Sequence, residues 1–422
     1  MILYAVLAGV VWWLGNVVYS LFFSPLRHLP SPLIFQVFPI YLQIRMAMGD
    51  APFMVHAYYL KYGPVFRMGW KLVFFVDATA SKEIYSTYKF NKTTDYDMFC
   101  YFGPNVLSTQ DRTQHSARRR RIAPAFTKQS VAAMEPSIIQ AGVAPLLANL
   151  AKAAKTESSI DIFHQLHFFS WDVIGQLVFG ESFRMLELGS HPAVQWLDAI
   201  VVFGVVGILF PFLRRFKIPA GEKLRKFSNE LLDRHYKRKA EEPSHVTQGD
   251  IISHFTHPAS NVPLDRQEVL AETFVQLFAG TDSTSNTLTW FFYLVLSHPR
   301  VEKKLMAELN AHGLLGRTDI LNTANSNLKL PYLEATLKES MRFFPVVPNT
   351  PFRIVPEGGR KIMGHFLPEG TTVAIPLYSL NRCPLLWPDC DSFIPERWET
   401  IQPQEGSFIP FLLGPRGCIG KE

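Results

Sequence analysis

Cys418 stands in the run Phe411-Leu-Leu-Gly414-Pro-Arg416-Gly417-Cys418-Ile-Gly420, where three glycines and an arginine surround one thiol. A thiol binds metal as its anion, and a neighbouring guanidinium with close backbone N–H groups favours that charged form. Gly414, Gly417 and Gly420 lack a Cβ, so the chain there can approach a ligand closely and take unusual dihedrals. A second set, Gly280, Thr281, Asp282, Ser283 and Thr284, interrupts an apolar helical pattern with groups that compete for backbone hydrogen bonds. A third is Glu339 with Arg342, three residues apart and so able to pair on one helix face. Spacing alone does not select this pair, because Glu181 with Arg184, Glu222 with Arg225 and Glu357 with Arg360 repeat it.

These residues need elements to position them. A capping box of Asp265 and Glu268 predicts a helix that runs through the polar patch to Ser297, where His298 and Pro299 end it. At 1.5 Å per residue it is about 48 Å long. It is apolar on most sides and should be buried. The stretch from Gly63 to Asp77 alternates, carries β-branched and aromatic residues, and reads as a strand pair. The chain beyond Asp77 reads as mostly helical, without internal repeats, giving a mainly α fold with a small β-rich region (α+β).

Residues Ile2 to Phe23 carry no charge. About 20 apolar residues cross the hydrocarbon layer, and the flanks lack the marks of a cleaved signal peptide. The expected organisation is a transmembrane anchor (1–23), a proline-rich connector and lead-in segment (24–60), and one catalytic body (61–422). Arg27 and Arg45 follow the span, which places the body on the cytosolic side. The prolines of Ser24 to Pro32 predict an extended, stiff connector.

Bulk properties narrow the class. The net charge of +6 and pI near 9.0 suit a basic surface that meets anionic lipid or an acidic protein. Nucleic acid is set aside, since no zinc-finger or RNA-recognition spacing accompanies the scattered basic runs Arg118 to Arg121 and Arg214 to Lys217. Cys100, Cys383, Cys390 and Cys418 form no disulfide framework, which points to a reducing compartment.

The run Phe411 to Gly420 resembles the haem-binding loop of the cytochrome P-450 family, Phe-x-x-Gly-x-Arg-x-Cys-x-Gly, at every fixed position. Ala279 to Thr284 is similar to that family's oxygen-activation motif, with Ser283 where threonine is usual. Glu339 and Arg342, followed by Arg397 in Phe393 to Trp398, resemble its structural Glu-Arg-Arg triad. His115 and Arg119 match its Trp-x-x-x-Arg spacing, histidine replacing tryptophan, and Arg353 matches the arginine of the strand after the Glu-x-x-Arg helix.

The resemblance implies haem b (iron protoporphyrin IX) ligated by Cys418, with Arg416, Phe411 and Gly414 in its loop and His115, Arg119, Arg353 and Arg416 as propionate partners. Asp282, Ser283 and Thr284 would serve catalysis by relaying protons to bound dioxygen. The implied reaction inserts one atom of O2 into a hydrophobic small molecule, using electrons from NADPH through a flavoprotein reductase, at the endoplasmic reticulum membrane. Substrate contacts would come from Met98 to Pro104, Val201 to Leu213 and Val346 to Phe352. The other arginines of Arg118 to Arg121 would form a basic docking face. A peroxide-rearranging isomerase or dehydratase, and an inactive truncated membrane protein, are the alternatives. The family continues past the cysteine loop into a helix and a terminal sheet, whereas four residues follow Cys418, so weak haem retention is expected of this chain.

Overall fold

The computed structural model describes residues 1–210, 212–213, 216–241, 250–256, 263–315, 328–348 and 351–422. Arg214 and Arg215 of the second basic run, Pro211 of one substrate zone and Asn349 and Thr350 of another lie outside the described residues. Helix takes 62% and strand 5%, which bears out the mainly helical expectation. Contacts divide the chain into two units. The first holds Met1–Asp95, Val347–Ser392 and Gln402–Cys418, and the second Tyr96–Val346, Phe393–Ile401 and Ile419–Glu422.

In the first unit the alternating stretch forms strands β1 (Val65–Arg67) and β2 (Leu72–Phe75), paired antiparallel with Val65 opposite Phe75. Further strands are β3 (Asn91–Lys92), β4 (Arg353–Ile354), β5 (Arg360–Ile362), β6 (His365–Leu367) and β7 (Thr372–Ala374). One sheet has the order β1-β2-β7-β4-β3, and β5 pairs with β6 alone. That hairpin turns through Met363 and Gly364, both at positive φ, which matches the right-handed twist of its strands.

The connector departs from the expected straight spacer. Leu26 and Leu29 are buried in a cluster with Val73, Phe75 and Val373, and Arg27 and Leu29 close turns onto Ser24 and Leu26. Two leucines between the prolines gain more by burial than an extended chain would gain by solvation. The apolar N-terminal segment is helical from Ile2 to Val18 and continues as a wider turn over Tyr19–Phe23. Its far end docks on the unit: Trp13 Nε1 donates to the Val37 carbonyl at 2.8 Å, and Ser20 Oγ to Gln36 at 2.5 Å.

In the second unit the capping box at Asp265 and Glu268 opens a helix, Arg266–Ser297, that runs unbroken for 32 residues. The polar patch does not interrupt it. Thr281, Ser283, Asn286 and Thr287 each bond the carbonyl four residues back, at 2.6 to 2.8 Å, so the competition for backbone groups is resolved within the helix. This long helix packs on Ile162–Phe179. At Gly280 the approach is close, since a Cβ there would sit 2.7 Å from Ile174 Cδ1. By length and composition Lys128–Lys155 and Pro192–Leu209 could each cross a membrane, although the second buries Ala193, Leu197, Ile200 and Gly207.

Candidate functional site

The cysteine loop belongs to the first unit. Leu412 and Gly414 both take positive φ, at 57° and 64°. A single helical turn, Gly414–Arg416, comes next, and Gly417 N–H returns to the Gly414 carbonyl at 3.0 Å. Cys418 N–H then donates to the Phe411 carbonyl at 2.7 Å. Only Gly414 of the three glycines uses the left-handed region: Gly417 sits at φ −62°, and a Cβ on Gly420 would meet nothing. The expectation of unusual dihedrals at all three is thus corrected. The unusual one that sequence reasoning missed is Leu412, which gave no signal because leucine rarely adopts that region.

Gly414 is constrained twice, because a Cβ would also lie 2.5 Å from the Ser86 carbonyl oxygen. Gly417 could take a Cβ only 3.2 Å from the Gly414 oxygen and 3.4 Å from that of Phe411, so the loop's own carbonyls crowd that position. Cys418 is exposed while Cys383 and Cys390 are buried. Arg416 is buried over the Tyr88 ring at 5.2 Å, and Arg353, on β4, over Tyr85 at 5.2 Å. Arg353 also donates to the Phe352 carbonyl at 2.9 Å. Phe411 is partly exposed. An accessible thiol with buried cations in the same unit suits the donor set of a haem thiolate with anionic propionates.

The second unit carries the remaining site residues. Asp282, Ser283 and Thr284 are exposed midway along the long helix, while Thr281 and Ser285 beside them are buried. Ser283 Oγ donates to the Ala279 carbonyl at 2.6 Å. Partial desolvation against the neighbouring helix pushes the half-exposed Asp282 carboxyl above its usual range, the charge of His167 opposing and that of Asp198 adding to the shift. His115 is buried and Arg119 half-buried, one turn apart on Arg112–Ile122.

That same helix holds a correction. Arg118 reaches Glu272 at 3.1 Å and Arg121 bonds Glu268, so these two arginines are engaged inside the unit and do not form a docking face. Glu272 is fully buried and also accepts from Val106 N–H at 3.1 Å. Desolvation raises its carboxyl to about 7, against the opposing Val106 bond and Arg118 charge. Sequence reasoning missed Glu268 and Glu272 as partners of the arginine run. The available signal was two acids four apart on an apolar helix.

Glu339, Arg342 and Arg397 do come together. Arg342 grips Glu339 through Nε at 2.9 Å and Nη2 at 2.8 Å. Arg397 Nε reaches the same carboxylate at 2.9 Å, as do Ile394 N–H and Trp398 Nε1. Burial would raise the Glu339 carboxyl, but Arg342, the Ile394 N–H and Arg397 outweigh it and hold it low. Two of the competing pairs are drawn to other partners among the described residues: Glu181 binds Arg234 and Arg238, Arg184 binds Glu187, and Glu222 binds Lys217.

Of the substrate zones, the first two meet. Met98 lies against Gly204, whose Cβ would be 3.3 Å from Met98 Cε, and Phe99 and Phe102 pack tilted against Phe278 and Phe274 of the long helix, ring centroids 5.3 and 5.0 Å apart.

A mainly helical protein with small sheets and an accessible cysteine closing a glycine-bounded loop falls in the class of haem-thiolate enzymes. The comparisons agree. A family model described as "Cytochrome P450" matches residues 29–422. The cytochrome P450 monooxygenase helB3 of Aspergillus fumigatus is 29% identical over 437 residues, covering 100% of this chain and 85% of that one. The cytochrome P450 monooxygenase tazI of Aspergillus terreus is 30% identical over 419 residues, covering 96% and 84%. AMT3 of Alternaria alternata, another such monooxygenase, is 28% identical over 429 residues, covering 96% and 86%. The chain belongs to the cytochrome P450 family and is an oxidoreductase, a haem-thiolate monooxygenase.

Proposed function

We propose that this chain is a membrane-anchored monooxygenase that inserts one oxygen atom from O2 into an apolar small molecule, with electrons from NADPH delivered by a flavoprotein reductase. The observation that carries this reading is the exposure of Asp282 and Ser283 midway along the long helix, between buried Thr281 and Ser285. An acid and a hydroxyl left open there serve proton delivery. Cys418 would hold haem b, with Arg416 and Arg353 of the same unit as cationic partners for its propionates and Phe411 and Gly414 shaping the loop; the family resemblance alone adds His115 and Arg119 to those partners. The bound group supplies oxygen activation, which an anionic sulfur ligand favours by donating electron density.

The chain's own residues do the rest. Ser283 donates its only hydroxyl proton to Ala279, leaving its lone pairs free to accept a hydrogen bond. Asp282 supplies and recovers protons, and Thr284 adds a second hydroxyl. Glu339, Arg342 and Arg397 hold the fold. Apolar walls at Met98 to Pro104 and on Pro192–Leu209 bind substrate by excluding water. Leu3, Tyr4, Leu7, Val10, Val11, Trp12 and Leu14 are exposed, which supports an N-terminal membrane anchor. That this anchor is single, lies in the endoplasmic reticulum and leaves the body on the cytosolic side is part of the same proposal and rests on Arg27 and Arg45 following it.

The test is a carbon-monoxide difference spectrum of the reduced full chain. Thiolate ligation gives a red-shifted Soret band, and Cys418→Ala removes it. Oxygenation of an apolar probe that stops when NADPH or the reductase is omitted supports the reading. A chain that rearranges organic peroxides without NADPH is instead an isomerase.

A further inference from the structure

Asp282 is half-exposed, and one residue of the neighbouring helix faces it. His167, on Ile162–Phe179, places Nδ1 3.9 Å from Asp282 Oδ1. One turn later, buried Trp171 donates its indole N–H to His167 Nε2 at 3.1 Å. Indole nitrogen is a donor only, so the Nε2 it meets carries no proton. A neutral ring must then carry its proton on Nδ1, the atom turned toward the carboxylate. We infer that His167 is a positioning residue for Asp282, a neutral imidazole whose Nδ1–H fixes where that carboxylate points.

The spacing is longer than a direct hydrogen bond, by an amount that a small carboxylate rotation or one bridging water covers. Two contacts define the setting. Phe163 stacks on the His167 ring with planes 15° apart, and the contact of Gly280 with Ile174 keeps the two helices close. The charged groups that face the ring are Asp282 on the long helix, Asp198 on Pro192–Leu209 and His164 on its own helix. Burial lowers the His167 titration below its usual value, against the pull of the two aspartates.

The chemical consequence comes from charge. A lysine or arginine in this place would hold Asp282 permanently ionised. A neutral donor orients the carboxylate and leaves it free to take up and release a proton, which is what a relay acid requires. Protonation of His167 makes Nε2 a donor that opposes the Trp171 N–H, so the arrangement holds only above the ring's titration.

This inference rests on the relay role proposed for Asp282, and two measurements separate them. In the full chain, in nanodiscs and in the diamagnetic reduced carbon-monoxide form, carbon-13 histidine resonances report the tautomer and titration of His167, assigned by its loss in His167→Asn. The Nδ1–H tautomer is expected, and Asp282→Asn should lower the ring's titration because it removes an attracting charge. With reductase, NADPH and O2, His167→Phe should raise the fraction of electrons recovered as hydrogen peroxide by about fivefold, the worth of one net hydrogen bond. His167→Asn, which keeps an N–H near the Nδ1 position, should restore coupling, and His167→Phe should add nothing in an Asp282→Asn background. If Asp282→Asn raises peroxide while the ring's titration ignores it, the positioning inference alone is overturned. If Asp282→Asn leaves peroxide unchanged, the relay role falls and takes the inference with it, whatever the ring does.

Discussion

Gly414 meets two demands that no other residue satisfies together, a left-handed backbone and a Cβ position 2.5 Å from the Ser86 oxygen. Because the obstacle is backbone and not a flexible tip, Gly414→Ala has to move the loop that carries Cys418. The expected result is a chain that folds but retains less haem, read as the ratio of haem absorbance to protein after gel filtration. Ser283 makes a gentler case. Serine lacks the methyl that stiffens the first side-chain torsion of threonine. Ser283→Thr should therefore lower peroxide release and Ser283→Ala raise it, each measured per NADPH consumed. Glu272 adds a pH dependence of definite sign. Its folded value of about 7 lies above the ordinary 4.5, so the stability it contributes is fully present below about 4.5 and is lost as pH rises through about 7. The shift corresponds to about 3 kcal/mol. Glu272→Gln keeps an oxygen for Val106 N–H and should flatten thermal stability between those two pH values. An unchanged slope would show that the charged form is already compensated by Arg118.

At the scale of elements, the long helix was legible because its ends are written in local chemistry. Asp265, Glu268 and Pro299 act within one turn, and period and length supply the rest. The strand pair was legible for the same reason, since Val65–Arg67 and Leu72–Phe75 are short runs rich in β-branched and aromatic residues on either side of Gly69. What escaped the sequence depends on neighbours that arrive from afar. Arg118 and Arg121 read as a basic surface until Glu268 and Glu272, about 150 residues later, turn out to be their partners. The connector read as stiff because its prolines are local, while the burial of Leu26 and Leu29 is not. The Glu-x-x-Arg pattern was resolved only by context, and burial gives the reason: Glu339 and Arg342 are both fully buried, whereas Arg184 and Glu187 are exposed. Gly280 shows how an element contact becomes a functional one. A Cβ there meets the flexible end of Ile174, so Gly280→Ala should be tolerated. Gly280→Val would overpack the contact at a cost of about 1–3 kcal/mol, lowering the melting temperature. It should also raise peroxide release, since Asp282 and His167 are carried by the helices that are forced apart.

For the whole molecule, the chain leaves the second unit at Val347, builds β4 to β7 in the first, and returns at Phe393. Glu339 marks where it must return, because Ile394, Arg397 and Trp398 all end on that one carboxylate. A second tie lies beside it: Glu396 accepts from Arg300 at 2.5 Å and from Tyr332 at 3.2 Å. Burial would raise the Glu396 carboxyl, but Arg300 and Tyr332 bring it down to about 2. Both carboxyls are held low, so their contribution is present above about 4.5 and is lost as pH falls toward the folded values. Removing one partner of a buried ion pair leaves the others charged and uncompensated, at about 3–5 kcal/mol. That is a large part of the stability of an ordinary domain. Glu339→Gln is therefore expected to abolish accumulation of folded protein at ordinary growth temperature. Glu396→Gln, at a partly exposed site, should leave a folded chain whose loss of stability is full above about pH 4.5 and fades as pH falls toward about 2. Acid titration of the melting temperature checks the pair. If Glu339→Gln folds and melts as the parent does, the three groups gathered on Glu339 do not hold the returning segment.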